Sequence, residues 1–187
     1  MNGTPARKNA SNESRPPRVR HRRRLSLVAC GALAVLLASP IAARGADYAL
    51  NWGPSETGHQ HWTTALFAER IGAPLRWQGL GMAGDFGLGF VRARGTPVDR
   101  LNHDVWIGFG GVRASLPDAG VWRHVFLGFG VGLTHGKTNA LSSTGEFVDT
   151  LGWQDGHWDA MIRHISNGHL STGPNVGETM LLVGVRF

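Results

Sequence analysis

The feature that most constrains this chain is an alternation of residue type that recurs along most of its length. Val105, Ile107, Phe109 and Gly111 interleave with Trp106, Gly108, Gly110 and Val112. Val125, Leu127, Phe129 and Val131 interleave with Phe126, Gly128, Gly130 and Gly132, and Thr179, Leu181, Val183, Val185 and Phe187 with Met180, Leu182, Gly184 and Arg186. A period of two belongs to strands with two distinct faces, not to the 3.6-residue stripe of an amphipathic helix. One face is bulky and apolar; the other is rich in glycine or polar groups. A water-soluble sandwich would carry charge opposite its core, and these strands carry little on either face. The pattern fits bulky residues against lipid and small residues around a lumen, which predicts an eight-stranded antiparallel transmembrane β-barrel.

The predicted strands lie near 47–53, 61–69, 75–93 (with a kink at Gly84), 103–115, 122–135, 145–153, 157–166 and 178–187. Turn signals separate them: Gly53-Pro54, Gly72-Ala73-Pro74, Gly95-Thr96-Pro97, Pro117 to Gly120, Asn139 to Thr144, and Gln154-Asp155-Gly156. An even number of strands closes without an unpaired edge. All seven Trp fall after residue 45, near expected strand ends, where interfacial girdles form. Phe187 ends an alternating apolar run and resembles the C-terminal signature of outer-membrane barrels.

Charge is divided unevenly. Residues 1–45 hold nine of the 19 basic residues and one of the 13 acids, so the remainder carries ten basic against twelve acidic residues. The formal net charge of +6 therefore belongs to the leader and is no argument for nucleic-acid binding. Residues 1–24 are polar and end in His21-Arg22-Arg23-Arg24; a 14-residue apolar run, Leu25 to Ala38, follows, then Ser39-Pro40 and small residues. That order describes a secretory signal, 1–45, cleaved at Ala43-Arg44-Gly45 and leaving a barrel domain of 46–187. Its long basic segment fits a start codon set too early better than a twin-arginine route. Leu27-Val28-Ala29-Cys30 matches a lipobox but sits inside the apolar run. Cys30 is the single cysteine, so neither a disulfide framework nor a Cys-based zinc site is available to the mature chain.

The most informative segment runs from Arg163 to Glu178. His164 and Ser166 are two apart and share a strand face with Ile162, Ala160 and Trp158; Ile165, Arg163, Met161, Asp159 and His157 occupy the other. Charges belong in the lumen, so the His–Ser pair is expected on the lipid-facing wall. Ser, His and a carboxylate on adjacent strands can supply a nucleophile, a general base and an acid that orients it.

This segment resembles the lipid A 3-O-deacylase family (PagL), outer-membrane esterases on eight-stranded barrels. The resemblance lies in His164-Ile165-Ser166-Asn167, a loop containing Pro174-Asn175 and Gly177, and Glu178 twelve residues after Ser166. It covers about the last 25 residues, where motif matches carry a false-positive risk. It implies that Ser166 is the nucleophile, His164 the base and Glu178 the orienting acid. It further implies that Asn175 serves the oxyanion and Asn167 positioning; the backbone N–H of Gly168 is a nearby candidate donor to the oxyanion. The substrate would be lipid A of lipopolysaccharide in the bacterial outer membrane, with no cofactor and no metal; a homodimer is left open. One departure stands out: Gly177 directly precedes Glu178, where the family has a residue between them. Period two then turns Glu178 to the lumen unless the strand starts after it or contains a bulge.

Competing readings remain at this stage. A non-enzymatic barrel, an adhesin or structural protein, would bind through its loops. A phospholipase would be expected to have a longer chain and a carboxylate cluster. His59 and His61 form a pair without a third metal ligand nearby. Arg92, Arg94, Arg113 and Arg123 are either phosphate contacts at the rim or lumenal and loop charges paired with acids.

Overall fold

The computed structural model describes residues 45–58, 60–169 and 176–187. The signal assignment on 1–45, apart from Gly45, lies outside the described residues, as do His59 and Asn175. The described residues form nine strands: β1 (Asp47–Glu56), β2 (Trp62–Ile71), β3 (Leu75–Trp77), β4 (Leu80–Val91), β5 (Val105–Ser115), β6 (Val125–His135), β7 (Gly145–Asp155), β8 (Trp158–Ser166) and β9 (Glu178–Arg186). All described pairings are antiparallel, and β1 joins β9 while β2 joins β4. The eight long strands therefore close on themselves, and no edge of the barrel wall is left unpaired. No described helix is long and apolar enough to cross a membrane.

The predicted 75–93 strand breaks into β3 and β4. Gln78 and Gly79 both have positive φ, 48° and 84°, the backbone that a two-residue hairpin turn requires. Gly84 stays within β4. The hairpin projects from one end of the barrel, where residues 116–124 and Gly156-His157 also turn. The opposite end carries the connections 57–61, 92–104, 136–144 and 167–177. The two longest connections, 92–104 and 167–177, both lie at this second end, in keeping with the one-sided long loops of outer-membrane barrels.

The outer wall is apolar. Leu127, Phe129, Val131, Leu133, Leu151, Ile162, Leu181 and Val183 are exposed on it, and all seven Trp are exposed. Trp62 and Trp106 mark the loop end, and Trp77, Trp122, Trp153 and Trp158 the turn end. At the terminus, Phe187 exchanges two backbone hydrogen bonds of 2.9 Å with Tyr48 and stacks on its ring.

The lumen differs from a simple small-residue lining. In β6 and β9 the bulky row faces lipid as expected, but in β5 Val105, Ile107 and Phe109 point inward and are buried, while Trp106, Gly108, Gly110 and Val112 face out. The reason is space. A Cβ on inward Gly87 would lie 2.6 Å from Phe109, one on Gly132 would lie 2.7 Å from Ile107, and one on Gly89 would overlap Phe67. Inward glycines on some strands thus admit large side chains from their neighbours, and the lumen is a packed core.

Below this apolar plug lies a charged layer. Glu69 accepts hydrogen bonds from Arg163 at 2.8 Å, Arg113 at 2.9 Å and Asn51 at 3.0 Å. Arg113 also reaches Asp85 at 3.0 Å and stacks on Phe126; Arg163 donates to Thr150 and packs between Phe67 and Phe109. Buried charges persist only when paired and hydrogen-bonded, and these are.

Candidate functional site

β8 reaches the loop end of the barrel with the face assignment its period implies. Met161, Arg163 and Ile165 are buried inward, Ile162 is exposed outward, and His164 and Ser166 are half-buried on that outward face. β7 and β9 flank them, with Asp149 and Thr179 as the residues directly opposite His164 and Phe147 opposite Ser166.

His164 is held by two features of the start of β9. Its Nδ1 lies 3.0 Å from the hydroxyl oxygen of Thr179. Its ring also lies over Gly177: a Cβ there would be 2.7 Å from Cε1 and 3.0 Å from Nε2. Gly177 has φ +74°, and its N–H donates to the Ala140 carbonyl at 3.1 Å, tying this point to loop 136–144. Only glycine combines that backbone with that clearance. The glycine directly before Glu178, a departure at the level of sequence, is here the platform for the imidazole.

Glu178 does not join His164. Its Cα partner is Ile165, its side chain is buried in the lumen, and its Oε2 accepts from Ser55 and from Arg94, each at 2.6 Å. Arg94 in turn donates to the His61 carbonyl at 2.6 Å, so Glu178 anchors loop 92–104 and the end of β1. The cause is the strand phase: β9 begins at Glu178 with regular alternation and has no bulge that would turn the residue outward. The expected Ser–His–Glu arrangement is therefore not assembled; the side chain that meets Nδ1 is Thr179. Among the described residues no hydrogen bond joins Ser166 to His164.

Asn167 and Gly168 shape the loop that leaves β8. The Asn167 side chain is buried, accepts from the His169 N–H at 2.9 Å and donates to Ser142 at 3.2 Å. That local bond turns the chain through the positive φ of Gly168 and His169, 60° and 62°. A Cβ on Gly168 would come within 3.1 Å of the Phe147 ring.

The other candidates disperse. Arg94 and Arg113 are buried lumenal ion-pair members, Arg123 lies at the turn end beside His124, and Arg92 is exposed at the loop end. His157 lies at the turn end with its Nδ1 3.0 Å from the Arg186 carbonyl, remote from Ser166. Among the described residues no group of three or more His, Cys, Asp or Glu could hold a metal ion. Thr179 and Asp149 went unrecognised in the sequence, although both carried a signal. Thr179 shares the outward phase of Leu181 and Val183, and Asp149 interrupts the outward row Phe147, Leu151, Trp153 with a charge.

No protein-family model matches the chain, and no curated protein does. Two solved structures are similar in fold. The outer membrane protein Ail of Yersinia pestis matches at 13% identity over 75% of this chain and 99% of that one, with a TM-score of 0.42. Neisserial surface protein A (NspA) matches at 16% identity over 75% of this chain and 94% of that one, with a TM-score of 0.43.

Proposed function

We propose that this chain is a serine esterase of the bacterial outer membrane, exported by its N-terminal signal, that hydrolyses the 3-O-linked hydroxyacyl ester of lipid A from the lipid-facing wall of the barrel. The observation that carries this reading is the outward pair His164 and Ser166 at the loop end, with the imidazole fixed from β9 by Thr179. An apolar wall is a poor place for polar side chains unless the substrate is itself in the membrane. Two observations support the reading: the two longest connections lie at this end, which suits the extracellular side and its lipopolysaccharide leaflet, and the motif from His164 to Glu178 resembles that of lipid A deacylases.

The chemistry needs no cofactor. Neutral His164 accepts the Ser166 hydroxyl proton as Oγ attacks the ester carbonyl carbon, and the carbonyl π pair moves to oxygen. Collapse expels the sugar alkoxide, which takes the proton from the imidazolium and leaves an acyl-Ser166 ester. Water, deprotonated by the same imidazole, then hydrolyses that ester and restores the serine. The substrate's other acyl chains pack against Ile162, Leu181 and neighbouring wall residues. A bond from Ser166 to His164 that forms only with substrate bound is compatible with this scheme.

A second reading rests on a specific observation. Glu178, the expected acid, is committed to Arg94 and Ser55 in the lumen, which suits a non-enzymatic barrel whose loops carry binding. Mass spectrometry of lipid A from a Gram-negative host separates the two. Loss of one 3-hydroxyacyl mass with wild type, absent with Ser166→Ala, is the expected result. No loss from cells in which wild type is folded in the outer membrane sinks the esterase reading. Loss with both removes Ser166 from the mechanism.

A further inference from the structure

Asp149 is out of place. It lies on the outward face of β7 as the fifth of its eleven residues, and it is exposed. The other outward-facing carboxylates, Glu56 and Asp155, sit at the ends of their strands, where water reaches them. A charge on the lipid face is destabilising, increasingly so with depth. Lumenal Glu69, Asp85 and Glu178 are paired with arginines, yet Asp149 has no ion pair or side-chain hydrogen bond among the described residues.

Its surroundings explain which way it can act. Along β7 its outward neighbours are Phe147 and Leu151, and across β6 it faces Phe129, whose ring stacks with that of Phe147 at 6.0 Å. Across β8 the residue directly opposite is His164, with Ile162 and Ser166 on either side. Facing residues of adjacent antiparallel strands have Cβ atoms about 4.5–5.5 Å apart. The polar side chains beside Asp149 are therefore the His–Ser pair, and its other neighbours are apolar.

We propose that Asp149 is a positioning residue for His164, the carboxylate of this site in the place where Glu178 is missing. The inference rests on the esterase reading and deepens it. Thr179 holds Nδ1 from the β9 side, and Asp149 acts from the β7 side as a negative charge. When the imidazole takes the Ser166 proton, its positive charge forms one strand spacing from that carboxylate, in apolar surroundings where attraction is stronger than in water. Asp149 orients the ring and stabilises the imidazolium without touching the substrate, and the barrel tolerates an unpaired lipid-facing acid in exchange.

The test uses the refolded chain, without its signal, in lipid–detergent micelles, with purified lipid A and a long-chain nitrophenyl ester as substrates. Wild type, Ser166→Ala, Asp149→Asn and Asp149→Glu are compared for kcat, KM and urea midpoint. Asp149→Asn should lose about 100-fold in kcat with KM within about twofold of wild type. Its urea midpoint should rise or stay, because a lipid-facing charge has gone. Asp149→Glu, which keeps the charge, should stay within about tenfold of wild type. Wild-type kcat in Asp149→Asn overturns the inference while the esterase reading stands, and so does a kcat loss accompanied by a lower urea midpoint. Folded wild type without hydrolysis, or Ser166→Ala as active as wild type, overturns the esterase reading and this inference with it.

Discussion

The two faces of β8 obey opposite rules. Inward, Arg163 is fully buried, is hydrogen-bonded to Glu69 and Thr150, and is packed against two aromatic rings. One residue on, outward, His164 meets the Thr179 hydroxyl, and the carboxylate opposite it makes no ion pair among the described residues. The lumen pairs Glu69, Asp85 and Glu178 with arginines, and leaves inward Asp159 buried without a hydrogen bond among the described residues. The outer wall carries a few polar groups that no charge among the described residues neutralises, in a setting that penalises them. Polarity of the first kind needs no function to explain it; polarity of the second kind does.

The contrast breaks most severely if the lumenal layer is disrupted. Glu69→Ala removes the shared acceptor of Arg113 and Arg163 and leaves two buried guanidiniums underpaired. Breaking a buried pair from one side costs about 3–5 kcal/mol, so urea unfolding in micelles should show a loss of that size. A smaller effect separates inward from outward glycines. Gly89→Ala overlaps the Phe67 ring and should cost about 1–3 kcal/mol by overpacking. Gly108→Ala, whose new methyl meets only Leu88 at an ordinary 3.6 Å, should stay within about 0.5 kcal/mol. Equal costs for the two would mean that the lumen is not packed as described.

Much of this was legible in the sequence, because alternation is local and the barrel is built from it. The faces of β6, β8 and β9, the outward His164–Ser166 pair and the lumenal placement of charge all follow from period two. What period two cannot convey is which face turns inward when both are apolar. In β5 that was decided by glycines on β4 and β6 that make room for Ile107 and Phe109, a fact of strand pairing. The Gln78-Gly79 turn was hidden for a different reason: a hairpin inside an apolar run looks like one long strand unless the two-residue turn is recognised. Glu178 shows the limit of spacing. Twelve residues after a serine can place a side chain on either wall; period two already turns Glu178 to the lumen, and the regular phase of β9 after the positive φ of Gly177 keeps it there. Thr179 and Asp149 carry a phase signal in the sequence, but that both stand opposite His164 follows only from the alignment of β7, β8 and β9.

The smallest effect discriminates most finely, because it sets the two neighbours at the start of β9 against each other. Thr179→Val keeps the shape and removes the oxygen beside Nδ1, so kcat should fall about tenfold, about 1.4 kcal/mol, with KM and the urea midpoint unchanged; Thr179→Ser should recover it. Glu178→Gln should do the reverse. Its carboxylate serves Arg94 and Ser55 inside the barrel, so the substitution should lower the urea midpoint and leave kcat per folded molecule near wild type. If Glu178→Gln instead abolished turnover in a barrel of undiminished stability, the acid would be acting on His164 after all. That would require the start of β9 to flip its phase when lipid binds, and the division between a structural lumen and a chemical outer wall would fail at that residue.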